Sequence, residues 1–415
     1  MMPRLSTTGI SAAAVAALLC LLPAVASAQT VEIPPSFGPA QIGGIPPKGS
    51  NYAIKFPVRS DGMLRNYVVT TPYGDYVVAG DDMMRMRVNE LAALAALERV
   101  SNSNTFRDAL VQAGLNPLKY TGKLITNPIG TVKDTLSGVG AMFDRIGAGL
   151  ASQGKTPDKP LQSLLGVTEA RRKLAASYGV DPYTDFPPLD AKLKQLAEAA
   201  TAGGLVVSGA LIAVPGAAGI VVSNLSTANK LNDIKLDQLA RDYTAAQILA
   251  LNRKRLIAMH IPEELSDRLL SNRDFTPIDM AAMVAALDSM KGVGGREVFI
   301  ARAASAHPRY VAYFVRRQAE LIAAEYRRHH DFTHFVSLAG DPVLVTRKGS
   351  LVDAAPIDAL SWTRETSAGL SRMTDAGRRM APKARGELRI TGQATALAKR
   401  ELKKAGWSVR EDLQR

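Results

Sequence analysis

One cysteine, two tryptophans and five histidines in 415 residues leave little material for thiol chemistry or for metal binding. The cysteine, Cys20, precedes Ala26-Ser27-Ala28, a small-x-small cleavage site that follows the positive start at Arg4 and the apolar run 12–22. Cleavage after Ala28 removes it, so the exported chain is expected to carry no disulfide, no thiol nucleophile and no cysteine ligand. Lipidation at Cys20 is disfavoured, because Leu19 stands where a small residue is normally needed. Stability must then come from packing alone. Aromatic residues make up 6% of the chain, with few in the basic tail beyond Trp362 and Trp407. That leaves few platforms for stacked bases and argues against a nucleic-acid partner. Neither HExxH nor GxSxG occurs, which removes the familiar zinc-protease and serine-hydrolase signatures.

What is present begins with charge. The formal net charge is +13, which favours acidic partners such as an anionic membrane surface or an acidic envelope component. Much of the excess falls after residue 364, including Arg378, Arg379, Lys383, Arg385, Lys403 and Lys404. Basic residues close to an anionic membrane each gain about 1 kcal/mol.

The most apolar stretch, 203–222, reads GGLVVSGALIAVPGAAGIVV and carries no charge. Its length matches a membrane span, but its nine aliphatic residues contribute only roughly −4 kcal/mol on an insertion scale. The five glycines, Ser208 and mid-stretch Pro215 offset much of that. Pro215-Gly216 divides it into two short helices. Leu205, Val206, Leu211 and Ile212 lie on one side, Ile220 and Val221 on the other, and both are expected to be buried in protein or lipid. Buried core is the leading reading, ahead of a single span and of an inserting hairpin.

Around it the periodicity is mostly helical. Residues 31–48 read as a Pro/Gly-rich leader, and Tyr67-Val68-Val69 and Tyr76-Val77-Val78 flank a Pro/Gly turn as a hairpin. Helices are predicted from about residue 84, over 106–113, from Pro128, over 161–178 and 190–200, and as one long helix over 231–256. Glu90, Arg171, Arg172 and Lys173 are placed on exposed helix faces. Three more helices open at Pro262, Pro277 and Pro308. A second hairpin flanks Arg347-Lys348-Gly349, and a strand, a helix and a strand follow over 387–390, 394–405 and 407–410. The expected fold is mainly α: a multi-helix bundle with a central apolar helical hairpin, a small N-terminal β-hairpin element and a small basic α+β C-terminal region. The expected divisions are 1–28, 29–83, 84–330 and 331–415.

Two motifs carry possible chemistry. Residues 149–156, GLASQGKT, match the phosphate-loop pattern in letters, but they follow an amphipathic segment instead of a strand, and Pro157 and Pro160 come at once. They are read as a helix-ending loop, and no cofactor is expected. His329, His330 and His334 with Glu325 have helical spacing and ligand types suited to zinc. A solvated helix end, where histidines complement the dipole, is the leading reading of them. The expected function is a non-catalytic, envelope-associated role, with a metal-dependent exported enzyme on those histidines, or a membrane-inserting protein, as alternatives.

Overall fold

Five strands of the C-terminal half, drawn from residues 332–410, form one mixed sheet that the helices of the middle of the chain cover. The computed structural model describes residues 31–119, 167–202, 230–231 and 234–413. The predicted leader peptide, the helix opened by Pro128, the GLASQGKT stretch and the apolar hairpin 203–222 lie outside the described residues. Among those described, 52% are helical and 19% are in strands. The fold is therefore α plus β, and the expectation of a mainly-α bundle is corrected.

The N-terminal part is an antiparallel meander of β1 (Ser36–Phe37), β2 (Ala53–Ser60), β3 (Arg65–Thr71) and β4 (Gly74–Ala79). The predicted hairpin is its β3–β4 pair, with Tyr67 opposite Val78 and Thr71 opposite Gly74. Tyr67 and Val69 are fully buried, as strand alternation requires. They pack against α1 (Asp81–Ser101), α2 (Asn104–Gln112), α3 (Glu169–Ser177) and α4 (Pro187–Ala202) in one core. Glu90, Arg171 and Arg172 point inward, contrary to their helical-wheel placement; only Lys173 is exposed. Each buried cation has protein acceptors: Arg171 Nε donates to the Pro182 carbonyl at 2.9 Å and Arg172 Nη1 to that of Val167 at 2.9 Å.

After a two-residue pair, β5 (Lys230–Leu231) with β6 (Ile234–Lys235), the predicted long helix is broken into α5 (Leu236–Asp242) and α6 (Ala245–Ala258). Thr244 causes the break. Its hydroxyl accepts from the Gln247 N–H and the Gln247 side chain returns to the Thr244 N–H, a reciprocal cap that starts a helix. Next come α7 (Glu263–Leu270), α8 (Pro277–Ser289), α9 (Arg296–Ala304) and α10 (Arg309–His329). Every residue of α8 from Pro277 to Leu287 is buried, so α8 is the central apolar helix of the described fold.

The large sheet contains β7 (Phe332–Leu338), β8 (Asp341–Thr346) and β9 (Leu351–Ala355). The small parallel pair β10 (Ala359–Leu360) and β12 (Gln393–Ala394) sits apart from it. The sheet is completed by β11 (Gly386–Ile390) and β13 (Trp407–Arg410), in the order β13-β11-β9-β8-β7. The first three strands are antiparallel; β9, β11 and β13 run parallel, joined by crossover helices α11 (Arg364–Met380) and α12 (Ala396–Lys404).

Ala339 and Gly340 make the two-residue turn from β7 to β8, at φ 54° and 97°. A turn with both residues in the left-handed region favours Asn-Gly, and alanine is strained there. Ala339→Asn should therefore raise the unfolding free energy by about 0.5–1 kcal/mol. An unchanged denaturation midpoint for that variant would contradict the turn geometry.

Candidate functional site

The structure does not gather the four residues of the predicted metal site into one group. Helix α10 ends at His329, His330 takes a left-handed conformation with φ 49°, and His334 lies on β7. The i,i+4 relation between His330 and His334 is thus lost at the helix end. Glu325 is fully buried and its carboxylate is occupied by Arg389 at 2.7 Å and Arg328 at 2.8 Å. His329 Nε2 is 3.7 Å from Glu325, the His330 ring meets Tyr326 edge-on, and His334 Nδ1 shares a hydrogen bond with Thr333. Among the described residues, no group of three or more His, Cys, Asp or Glu side chains could hold a metal ion.

What the C-terminal sheet does assemble is a basic end. The start of β7, the end of β8 and the starts of β9, β11 and β13 lie side by side. Arg347 N–H donates to the Asp331 carbonyl at 2.8 Å, Leu351 N–H to Arg385 at 2.8 Å, and Gly386 N–H to Gly406 at 3.2 Å. Arg378 Nη2 reaches the Ala405 carbonyl at 3.4 Å, which joins the ends of α11 and α12. The six predicted basic residues Arg378, Arg379, Lys383, Arg385, Lys403 and Lys404 all emerge exposed at this end. So do Arg327, Arg328, Arg347 and Lys348, which the sequence had placed in a separate helix and turn. Met380, 46% exposed, sits among them.

Arg378 pairs with Asp375, Lys404 with Glu401 and Arg328 with Glu325. Among the described residues no carboxylate pairs with Arg327, Arg347, Lys348, Arg379, Lys383, Arg385 or Lys403. Helices α10, α11 and α12 all finish here, so part of this clustering serves the negative ends of their dipoles. Dipole complementation acts over the last turn only, and does not account for Arg347, Lys348, Lys383 or Arg385 in the loops.

A second concentration of charge is buried between the meander and the rest of the fold. Asp81 accepts from Arg65 Nη1 at 2.8 Å and from the Tyr67 hydroxyl at 2.6 Å. Asp358, from beyond β9, accepts the backbone N–H of Asp81 at 2.9 Å, and burial pushes its carboxyl well above the ordinary range. The network continues through Asp82–Arg317 at 3.2 Å, Arg309–Asp279 at 2.6 Å and Arg87–Glu90 at 2.6 Å. Asp181, bonded to Thr276 Oγ1 at 2.6 Å, is pushed up to about 6 by burial and by Asp279. These groups face one another, and we read them as a structural lock between segments.

A third group, Arg302, Gln318, Asp341 and Asp353, lines a small cavity beside the sheet. Burial, with Asp341 adding, pushes Asp353 up to about 7. Sequence reasoning passed over all four. The signal available was Asp353, a lone carboxyl in the otherwise apolar strand Leu351–Ala355. No protein-family model, curated protein or solved structure matches this chain.

Proposed function

We propose that this is an exported envelope protein whose role is association, not catalysis, and that its basic end rests against an anionic membrane surface. The observation that carries this reading is the convergence at one sheet end of ten exposed cations from four separate stretches. Seven of them lack a carboxylate partner among the described residues. A clustered cationic face with an exposed methionine suits a lipid surface, where charge attracts and an apolar side chain can enter the interface. Export is supported by the leader-like residues 1–28. Glu32 donates its N–H to Trp362 at 2.9 Å and accepts from the Trp362 N–H at 2.6 Å, so cleavage after Ala28 leaves that anchor intact. No helix among the described residues is long and apolar enough to cross a membrane, which favours peripheral contact for this part of the chain.

Vesicle co-sedimentation tests the proposal. Binding to vesicles containing phosphatidylglycerol is expected at about 0.01 M salt and should weaken steeply by about 0.15 M, as the screening length falls from ~30 to ~8 Å. Neutral phosphatidylcholine vesicles should bind little. Exchanging Arg379, Lys383, Arg385 and Lys403 for glutamine should weaken binding at least about tenfold, given ~1 kcal/mol per cation near the surface. These four side chains are exposed and only Arg379 and Lys403 complement a helix end, so the thermal midpoint should move by only a few degrees. Binding that ignores salt, or that survives the fourfold exchange, would sink the reading. Binding to a soluble acidic polysaccharide but not to vesicles would replace the membrane with an envelope polymer.

A further inference from the structure

A cleft of about 290 Å³ lies between α7, α9 and the β7–β8 turn. Leu265, Val298 and Ala301 supply apolar wall, and Arg302 supplies a buried charge. Arg302 also lines the smaller cavity that holds Asp341, Asp353 and Gln318, so this one side chain borders both spaces. Its side chain is only 5% exposed, yet it is poorly compensated. A guanidinium carries five N–H donors. The carboxylate facing it, Asp341, stands 3.9 Å away, beyond hydrogen-bond length, and Nε has no acceptor within the described residues. Gln318 Oε1, in the adjoining cavity, is also buried without a donor.

A buried cation in this state is costly unless an anion completes it. Asp341 and Asp353 are the carboxyls near Arg302, neither within hydrogen-bond length, and the neighbouring wall positions 298 and 301 are apolar. The walls disfavour a fully hydrated ion such as phosphate, and the volume stands at the lower bound of small-molecule sites. Glu297 also borders the cleft, but it is exposed and five residues earlier on the same helix, so water screens it from the guanidinium.

We propose that this cleft binds a small amphiphilic carboxylate, its apolar body against Leu265, Val298 and Ala301 and its carboxylate on the Arg302 guanidinium. The site uses none of the residues of the basic end, so the two readings stand or fall separately.

Calorimetric titration of the whole chain with octanoate tests it. Saturable binding is expected, with octanol (same chain, no charge) and acetate (same charge, no chain) each at least about tenfold weaker, one such factor being ~1.4 kcal/mol. Ala301→Trp, which fills the cleft and leaves the guanidinium in place, should abolish binding without shifting the thermal midpoint. Arg302→Gln should weaken octanoate at least tenfold and leave octanol unchanged. If Arg302→Gln does not fold, the octanoate-to-octanol ratio and Ala301→Trp still decide the matter. Equal affinity for octanol and octanoate, full binding by Ala301→Trp, or no saturable binding by the native chain would each overturn the proposal.

Discussion

Replacing Asp81 with alanine is expected to lower the unfolding free energy by about 3–5 kcal/mol, the range for breaking one side of a buried ion pair. Its side chain is completely buried and its two carboxylate oxygens serve different partners, Arg65 Nη1 on one and the Tyr67 hydroxyl on the other. Deleting the carboxylate leaves a guanidinium that is about one-tenth exposed without its closest counter-charge, and a buried phenol without its acceptor. The loss reaches further than one pair, because Asp81 stands where three segments meet. Arg65 and Tyr67 come from β3, Asp81 opens α1, and Asp358 accepts backbone N–H groups from both Asp81 and Arg65. The backbone at Asp358 is in turn pressed against Gly392, where any side chain would collide with the Asp358 carbonyl. Tyr67→Phe removes one hydrogen bond of this set and should cost about 1–2 kcal/mol. Urea denaturation followed by circular dichroism measures both variants. A loss under about 1 kcal/mol for Asp81→Ala would mean that water reaches the site and compensates the arginine.

The elements that were legible in the sequence are those whose signals are local. The β3–β4 and β8–β9 hairpins announce themselves by β-branched runs around turn residues, and Gly406 separates a helix from a strand at φ 85°. The sheet as a whole was not legible, because its pairings are distant: Leu388 lies opposite Asp353, with all of α11 between them. Strand β7 was hidden for another reason. A register shift between Phe332 and His334 gives it buried residues at Phe332, Phe335 and Leu338, a spacing of three that imitates a helix. That imitation is what made His330 and His334 look like neighbours on one helical face. Charge misled in the same way. Glu90, Arg171 and Arg172 satisfy a helical wheel as surface residues, and contacts a wheel does not show accompany their burial: Thr184 for Glu90, Asp190 and the Pro182 carbonyl for Arg171, and the Val167 carbonyl for Arg172. The basic end was half legible. Its tail residues stood out by composition, whereas Arg327, Arg328, Arg347 and Lys348 join it only because β8 runs antiparallel to β7 and brings the 347–348 turn back beside the end of α10.

Acid should stabilise this protein across a range in which most proteins change little. Asp181 is pushed up to about 6 and Asp353 to about 7, in each case chiefly by burial, then by a neighbouring aspartate. Asp358 and Glu90 are raised for the same leading reason, against the pull of Arg65 and Arg87 respectively. In the unfolded chain these carboxyls release their protons near pH 4. Between about pH 4 and about pH 7 the folded state therefore holds more protons than the unfolded state, and stability falls as pH rises. The opposing groups act elsewhere on the scale. Asp75, Asp242, Glu169 and Glu401 are lowered by hydrogen bonds from cationic side chains, and Asp185 is lowered because Arg87 and Arg309 outweigh its burial. Their contribution is lost only as pH drops below the ordinary carboxylate range. The stability maximum should therefore lie near pH 4, with a decline of at least about 2–4 kcal/mol by pH 8, since each tenfold change in a carboxyl's proton affinity is worth ~1.4 kcal/mol. Asp353→Asn keeps an acceptor for Gln318 Nε2, now at 3.1 Å from the carboxylate, and removes the titration. It should flatten much of the decline and leave stability near pH 4 unchanged, and Asp181→Asn in the same chain should flatten it further. Denaturation midpoints that rise between pH 5 and 8, or a slope that the double variant leaves intact, would show that water or a bound cation keeps these two carboxylates charged in the folded state.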